Sequence, residues 1–72
     1  MYKVTMQHNK SDSEQIMVTM KNKEDAKKRY IDSSRSDYFS LLEEYKNGRW
    51  ERLIFQIGYG DVEEELNYVL GQ

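Results

Sequence analysis

The chain has 72 residues, of which 33% are charged, and it carries a net charge of −2 with no cysteine, no proline and one histidine. Its length allows one small domain, residues 1–72, that buries only about 60% of the surface its unfolded form exposes. The lack of cysteine excludes disulfides and thiolate metal sites, and one histidine excludes a multi-histidine zinc site, so the fold must depend on packing alone.

The hydropathy of the sequence argues for a folded protein of the cytoplasm. No apolar run approaches the roughly 18 residues of a membrane helix, and no basic segment is followed by the apolar stretch of a secretory signal. One Trp, six Tyr and two Phe are too many aromatic residues for a disordered tail. We therefore expect a folded cytoplasmic protein that has no membrane contact.

Two N-terminal segments alternate apolar and polar residues, which is the period of a strand with one buried face. Their apolar members are Tyr2, Val4 and Met6 in the first segment and Ile16, Val18 and Met20 in the second. Residues 8–14 between them contain no apolar side chain and many turn formers, which predicts an exposed loop. The pattern thus predicts a hairpin in which Met17 is the one apolar residue on the wrong face.

A first helix is predicted from Asn22 to about Ser33. Asn22 is a suitable N-cap with Asp25 three residues later, an arrangement that satisfies free amides of the first turn. The apolar side of this helix is thin, chiefly Ala26 and Tyr30. Residues 33–36 lack apolar side chains and break the helical period, so we place the link to the next element there.

The stretch from Tyr38 to Ile57 contains two apolar runs on either side of Asn47 and Gly48. Asn-Gly between such runs favours a hairpin, because a type I′ turn needs positive φ at both central residues. A helix is the competing interpretation, because apolar residues also recur at i, i+3, i+4 and i+7 from Tyr38.

The hairpin interpretation specifies a register. It pairs Tyr45 with Trp50, Glu43 with Arg52 and Leu41 with Ile54 on one face, and Leu42 with Leu53 on the other. The cross-strand pairs are aromatic, ionic and aliphatic in turn, which stabilises a sheet. Glu44 opposite Glu51 is a like-charge mismatch.

A final helix of about two turns is predicted after Asp61, which forms a capping signature with Glu64, and Gly71 ends it. The element order is β-β-α-β-β-α. It predicts an α+β fold in which two short helices pack on one face of an antiparallel sheet of about four strands. The predicted core is Tyr2, Val4, Ile16, Val18, Leu41 and Ile54 beneath Tyr30, Leu66 and Val69.

The sequence offers no spacing typical of catalysis, so we expect a protein that is not an enzyme and has no metal, cofactor or small-molecule substrate. The adjacent glutamates lie on surface-like positions without an apolar pocket that would separate their pKa values. His8 lies among loop residues with no nucleophile or orienting acid nearby. Gly58-Tyr59-Gly60 lacks the rest of a phosphate-binding loop.

The run Leu53 to Ile57 places large apolar groups on both faces of one strand, which indicates that something covers each face. The helices cover one face. A protein partner, either a second copy of the chain or a different protein, is the predicted cover of the other. The residues predicted to bind it are Tyr45, Trp50, Arg52, Glu43, Phe55 and Tyr59, and the C-terminal helix is a second candidate contact.

Nucleic-acid binding is the alternative function. Lys23, Lys27, Lys28 and Arg29 form a basic cluster on the first helix, and Tyr30 beside them could stack on a base. The pI of about 5.3 argues against this alternative, because nucleic-acid-binding domains tend to be basic.

The composition resembles that of small phage and prophage proteins: rich in lysine, asparagine and tyrosine, without cysteine or proline, with a Glu24-Asp25-Ala26-Lys27-Lys28 helix and a Tyr45-Lys46-Asn47-Gly48 hairpin. The resemblance is compositional and diffuse over the chain. It implies a protein that binds and inhibits or modulates a host factor, such as a CRISPR-type defence effector.

Overall fold

The structure is a computed structural model that describes residues 1–11 and 14–71. Its elements are β1 (Tyr2–Gln7), β2 (Ile16–Met20), α1 (Lys23–Ser36), β3 (Phe39–Lys46), β4 (Arg49–Ile57) and α2 (Glu63–Val69). The strands form one antiparallel sheet in the order β2-β1-β3-β4. The predicted element order and α+β fold are confirmed.

The N-terminal hairpin forms as predicted, with Val4 opposite Val18. Met17 lies opposite Thr5, on the face away from the core, as the alternation predicted. Of the predicted loop, residues 12 and 13 lie outside the described residues. The prediction that Ile16 is buried is wrong, because β2 is an edge strand and leaves this side chain 60% exposed.

The central hairpin turns at Asn47 and Gly48, whose φ angles of 54° and 82° are those of a type I′ turn. The helical alternative for this stretch is wrong. Near the turn the register is the predicted one, with Tyr45 opposite Trp50 and Glu44 opposite Glu51.

A β-bulge changes the register farther from the turn. Leu53 is an extra residue in β4, so Leu42 pairs with Ile54 and Leu41 pairs with Phe55. The predicted pairs Leu41 with Ile54 and Leu42 with Leu53 are therefore wrong. The extra residue shifts the alternation of β4 by one, which brings Ile54 onto the core face opposite the fully buried Leu42. Leu41 lies half-buried on the opposite face of β3, so its predicted place in the core is wrong.

α1 begins where predicted, because the Asn22 side chain accepts hydrogen bonds from the amides of Glu24 and Asp25 at 2.7 and 3.2 Å. It ends at Ser36, three residues beyond the predicted end, so the predicted link at 33–36 is wrong. Ser33 and Ser34 are buried against the sheet, where their small side chains allow close packing and their hydroxyls are hydrogen-bonded.

α2 begins after Asp61, whose carboxylate accepts a hydrogen bond from the Glu63 amide at 3.0 Å. Both helices pack on the same face of the sheet, since Tyr30 of α1 and Leu66 of α2 belong to one core cluster. That cluster is Val4, Met6, Ala26, Tyr30, Leu42, Ile54, Val62, Leu66 and Leu70. Neither helix in the described part of the chain is long and apolar enough to cross a membrane.

Candidate protein-binding face

Strand alternation gives the sheet a second face that neither helix covers, and we call it the open face. Cross-strand partners share a face, so the pairing fixes which side chains lie together there. They form four rows: Gln7, Phe39 and Ile57; then Met17, Thr5, Leu41 and Phe55; then Thr19, Lys3, Glu43 and Arg52; and last Tyr45 and Trp50.

The two halves of the open face differ in chemistry. The half on β1 and β2 is mainly polar, with Lys3, Thr5, Gln7 and Thr19. The half on β3 and β4 is mainly apolar, and we call it the β3–β4 stripe. The stripe consists of Phe39, Leu41, Glu43 and Tyr45 on β3 and of Trp50, Arg52, Phe55 and Ile57 on β4.

Large apolar groups of the open face are in contact with water. Phe55 is 48% exposed, Ile57 61%, Tyr45 48% and Met17 62%. Single exposed apolar residues are ordinary on a protein surface, but a contiguous patch of them marks an interaction surface. The sheet therefore exposes on this side the kind of surface that other proteins bind.

The aromatic rings of the β3–β4 stripe already hold charged side chains of the open face in place. Tyr45 and Trp50 pack edge to face with ring centroids 5.2 Å apart. The Lys3 ammonium lies 4.5 Å from the Trp50 ring and 3.5 Å from the Glu43 carboxylate, while the Arg52 guanidinium lies 4.9 Å from the Phe55 ring. These contacts hold the charged side chains against the sheet before any partner binds.

The edges of the sheet are less suited to binding than its open face. β4 is the longer edge strand, and it carries the bulge at Leu53 and the charged residues Arg49, Glu51 and Arg52. β2, the other edge strand, has only five residues. Short edge strands, bulges and charges are the features by which sheets avoid pairing with another chain.

The structure brings most of the predicted partner-binding residues together. Tyr45, Trp50, Arg52, Glu43 and Phe55 all lie on the β3–β4 stripe. Tyr59 does not belong to it, because it lies in the loop after β4, where it is 61% exposed.

Sequence reasoning missed several residues of the open face. They are Lys3, Met17, Phe39, Leu41 and Ile57. Phe39 and Ile57 could have been found by continuing the alternation of their strands, and Met17 was noted as an apolar residue on the wrong face. The contact of Lys3 with Glu43 depends on β1 lying next to β3, which no local pattern reveals.

The basic cluster of α1 is spread around the helix. Lys23 donates a hydrogen bond to the Leu70 carbonyl at 3.2 Å, and the Arg29 guanidinium lies 3.7 Å from the Met6 sulfur on another side. Lys28 is exposed opposite the buried side, with acidic residues at i−4, i−3 and i+4 around it. The four cations do not form one basic face.

The polar cluster at Asp37 does not have the geometry of a Ser-His-Asp catalytic triad. The Asp37 carboxylate lies between the Ser33 hydroxyl, at 3.1 Å, and the His8 ring, at 3.3 Å, so the histidine does not contact the serine as a general base must. Among residues 1–11 and 14–71, no group of three or more His, Cys, Asp or Glu side chains is placed to hold a metal ion.

An acidic group lies at the start of α2. The Arg35 guanidinium lies 3.2 Å from Asp61 and 3.7 Å from Glu63 and neutralises part of its charge. The hydrogen bond from the Glu63 amide, followed by the contact with Arg35, lowers the pKa of Asp61. These contacts fix the start of α2, so the acidic residues have a structural role there.

Comparison of the chain with protein-family models, with curated proteins and with solved structures found no match.

Proposed function

We propose that the protein is a non-catalytic binding module that holds a protein partner on its open face. The observation that carries this proposal is the β3–β4 stripe, in which half-exposed apolar and aromatic side chains lie side by side on a rigid sheet. Tyrosine, tryptophan and arginine are the residue types that contribute most binding energy at protein interfaces, and Tyr45, Trp50 and Arg52 all belong to the stripe.

The composition of the chain extends the proposal to a biological role. Because the composition resembles that of small phage and prophage proteins, a host factor such as a CRISPR-type defence effector is a partner class that we propose. A module without catalytic groups would inhibit or modulate such a factor by occupying one of its surfaces.

Affinity capture from the cells that produce the protein tests the proposal. Phe55→Thr removes a half-exposed ring from the stripe and keeps a residue type favourable in strands, so the fold is retained. We expect about tenfold less captured partner, because truncating an interface anchor commonly costs more than 1 kcal/mol of binding free energy.

Tyr68→Ala is the matched control, because it removes an exposed ring from α2, on the helix-covered side of the molecule. It should capture the partner as the wild type does, whereas reduced capture by this variant alone would assign the contact to the C-terminal helix, the second candidate. If Phe55→Thr stays folded by circular dichroism and captures the same proteins in the same amounts as the wild type, the open face is not the binding surface.

Nucleic-acid binding through Lys23, Lys27, Lys28 and Arg29 remains the alternative prediction. It requires that affinity for labelled DNA or RNA fall steeply with salt, with a slope set by the number of phosphates neutralised. Undetectable binding at low salt would eliminate it.

A further inference from the structure

We infer that a second copy of the chain occupies the β3–β4 stripe, with the two open faces stacked about a two-fold axis that runs parallel to the strands between β3 and β4. The inference rests on the proposed function and names a second copy, rather than a host factor, as the protein held on the open face. Its basis is that the stripe is complementary to itself.

The symmetry of the inferred dimer follows from the pairing of β3 with β4. Rotation about an axis parallel to the strands does not move a row along the strand direction. It places β3 of one copy opposite β4 of the other. Each β3 side chain then faces the β4 side chain that is its cross-strand partner within one chain. Leu41 faces Phe55 of the other copy, and Phe39 faces Ile57, so apolar groups meet apolar groups in both directions, as an isologous contact requires.

The one charged row of the stripe is also complementary to itself. Within one chain, Glu43 pairs with Lys3 at 3.5 Å, whereas Arg52 has no ion pair with any of the described residues and lies on the Phe55 ring. The two-fold axis places Glu43 of each copy opposite Arg52 of the other. Association therefore gives each guanidinium a carboxylate partner, and the carboxylate makes this contact in addition to its contact with Lys3.

The polar half of the open face fits the same arrangement. Stacking β3 and β4 on their counterparts leaves β1 and β2 beyond the overlap on opposite sides, so the exposed Thr19 and the partly exposed Lys3 and Gln7 keep their contact with water. Two strands of eight and nine residues would bury on the order of 1,000 Å² in total, near the lower limit for a specific interface, so we expect a dimer that dissociates at micromolar concentrations.

Sedimentation velocity of wild type and charge variants from about 1 µM to 1 mM tests the inference. The wild type should change from monomer to dimer across this range. Glu43→Arg and Arg52→Glu should each weaken self-association at least tenfold. In a dimer of either variant, positions 43 and 52 carry the same charge and face each other at both symmetry-related contacts.

The equimolar mixture of the two variants distinguishes contacts between chains from contacts within a chain. Each variant still has like charges at positions 43 and 52 of its own chain, but a mixed dimer places arginine opposite glutamate at both contacts. We expect the mixture to form dimers with an affinity close to that of the wild type, although neither variant does so alone.

The matched control is the pair Glu24→Arg and Lys28→Glu, which changes the net charge by the same amounts on exposed positions of α1. These variants should dimerise as the wild type does, alone and mixed. A wild type that stays monomeric at 1 mM would overturn the second copy as the partner, while the capture experiment with Phe55→Thr would still decide the proposed function. A wild-type dimer with no recovery in the mixture would overturn the two-fold arrangement.

Discussion

Leu41 and Leu42 show that the role of a residue in this protein depends on which face of the sheet its side chain occupies. Leu42 is fully buried between the sheet and the helices, whereas Leu41 lies half-buried on the open face, although the two side chains are chemically identical. The alternation of β3 sets this assignment, because Leu42 lies opposite Val4 of the core while Leu41 points to the other face, where Glu43 and Tyr45 lie. Leu42 therefore stabilises the fold, whereas Leu41 is on the surface that is available for binding.

We expect Leu42→Ala to lower the free energy of unfolding by about 2–5 kcal/mol, because it removes buried methyl groups and leaves a cavity. In a domain of this size that loss is close to the whole stability. Leu41→Ala should cost about 1 kcal/mol or less, because its side chain is partly in water already. Urea unfolding of both variants checks the difference, and equal losses would contradict the register described here.

At the scale of elements, the sequence predicted what depends on local chemistry. Asn47-Gly48 specified the turn, Asn22 specified the start of α1, and alternation specified β1 and β2. The bulge was missed because the alternation of apolar and polar residues does not show that one residue of β4, Leu53, has no partner in β3. The last turn of α1 was missed because Ser33 and Ser34 are polar residue types, yet both are buried. The Ser33 hydroxyl is hydrogen-bonded to that of Ser40, and the Ser34 hydroxyl donates to the Ile31 carbonyl of its own helix.

The residues of the candidate site were predicted correctly where local sequence patterns determine the structure, and missed where the bulge or the sheet topology does. Tyr45, Trp50, Glu43 and Arg52 lie between the turn and the bulge, where the predicted register holds, and they were assigned correctly to one face. Beyond the bulge the predicted partner of Leu41 and its predicted burial in the core were wrong, although it does share a face with Glu43 and Tyr45. The contact of Lys3 with Glu43 could not be predicted, because it requires β1 to lie next to β3 in the sheet, and β2 and α1 separate these strands in the chain.

The turn of the central hairpin provides a test at this scale. Gly48 has a φ of 82°, in the left-handed region that side chains rarely adopt, and nothing lies within 4 Å of the position that a Cβ would take. Gly48→Ala should therefore destabilise the protein by about 1 kcal/mol through backbone strain alone. Thermal unfolding measures the loss, and an unchanged melting temperature would show that the turn is not type I′.

At the scale of the whole molecule, both helices lie on one side of the sheet and a small core carries the stability. Tyr30 is fully buried in that core, and its hydroxyl donates a hydrogen bond to the Ser40 carbonyl at 3.4 Å. Burial, and then the negative charge of Glu65, raises the pKa of Tyr30 above its ordinary value. The folded protein therefore holds the proton of this phenol more tightly than the unfolded chain does.

The raised pKa predicts a loss of stability in alkali. Below about pH 10 both states keep the proton, so the contribution of Tyr30 is fully present. As the pH rises further, the unfolded chain releases the proton first, and the free energy of unfolding falls. Tyr30→Phe should reduce this alkaline loss, measured by urea unfolding between pH 8 and 11. Tyr68→Phe is the control for an exposed phenol, and an equally steep loss in Tyr30→Phe would contradict the argument.

If a protein covers the open face, site-specific photo-crosslinking should trap it there. A benzophenone amino acid placed at Phe55 would lie on the β3–β4 stripe, and the same group at Tyr68 would lie on exposed α2. In the cells that produce the protein, we predict covalent products with a protein, either this chain or another, from position 55 and not from position 68. No product at position 55, or equal yields at both positions, would contradict the account.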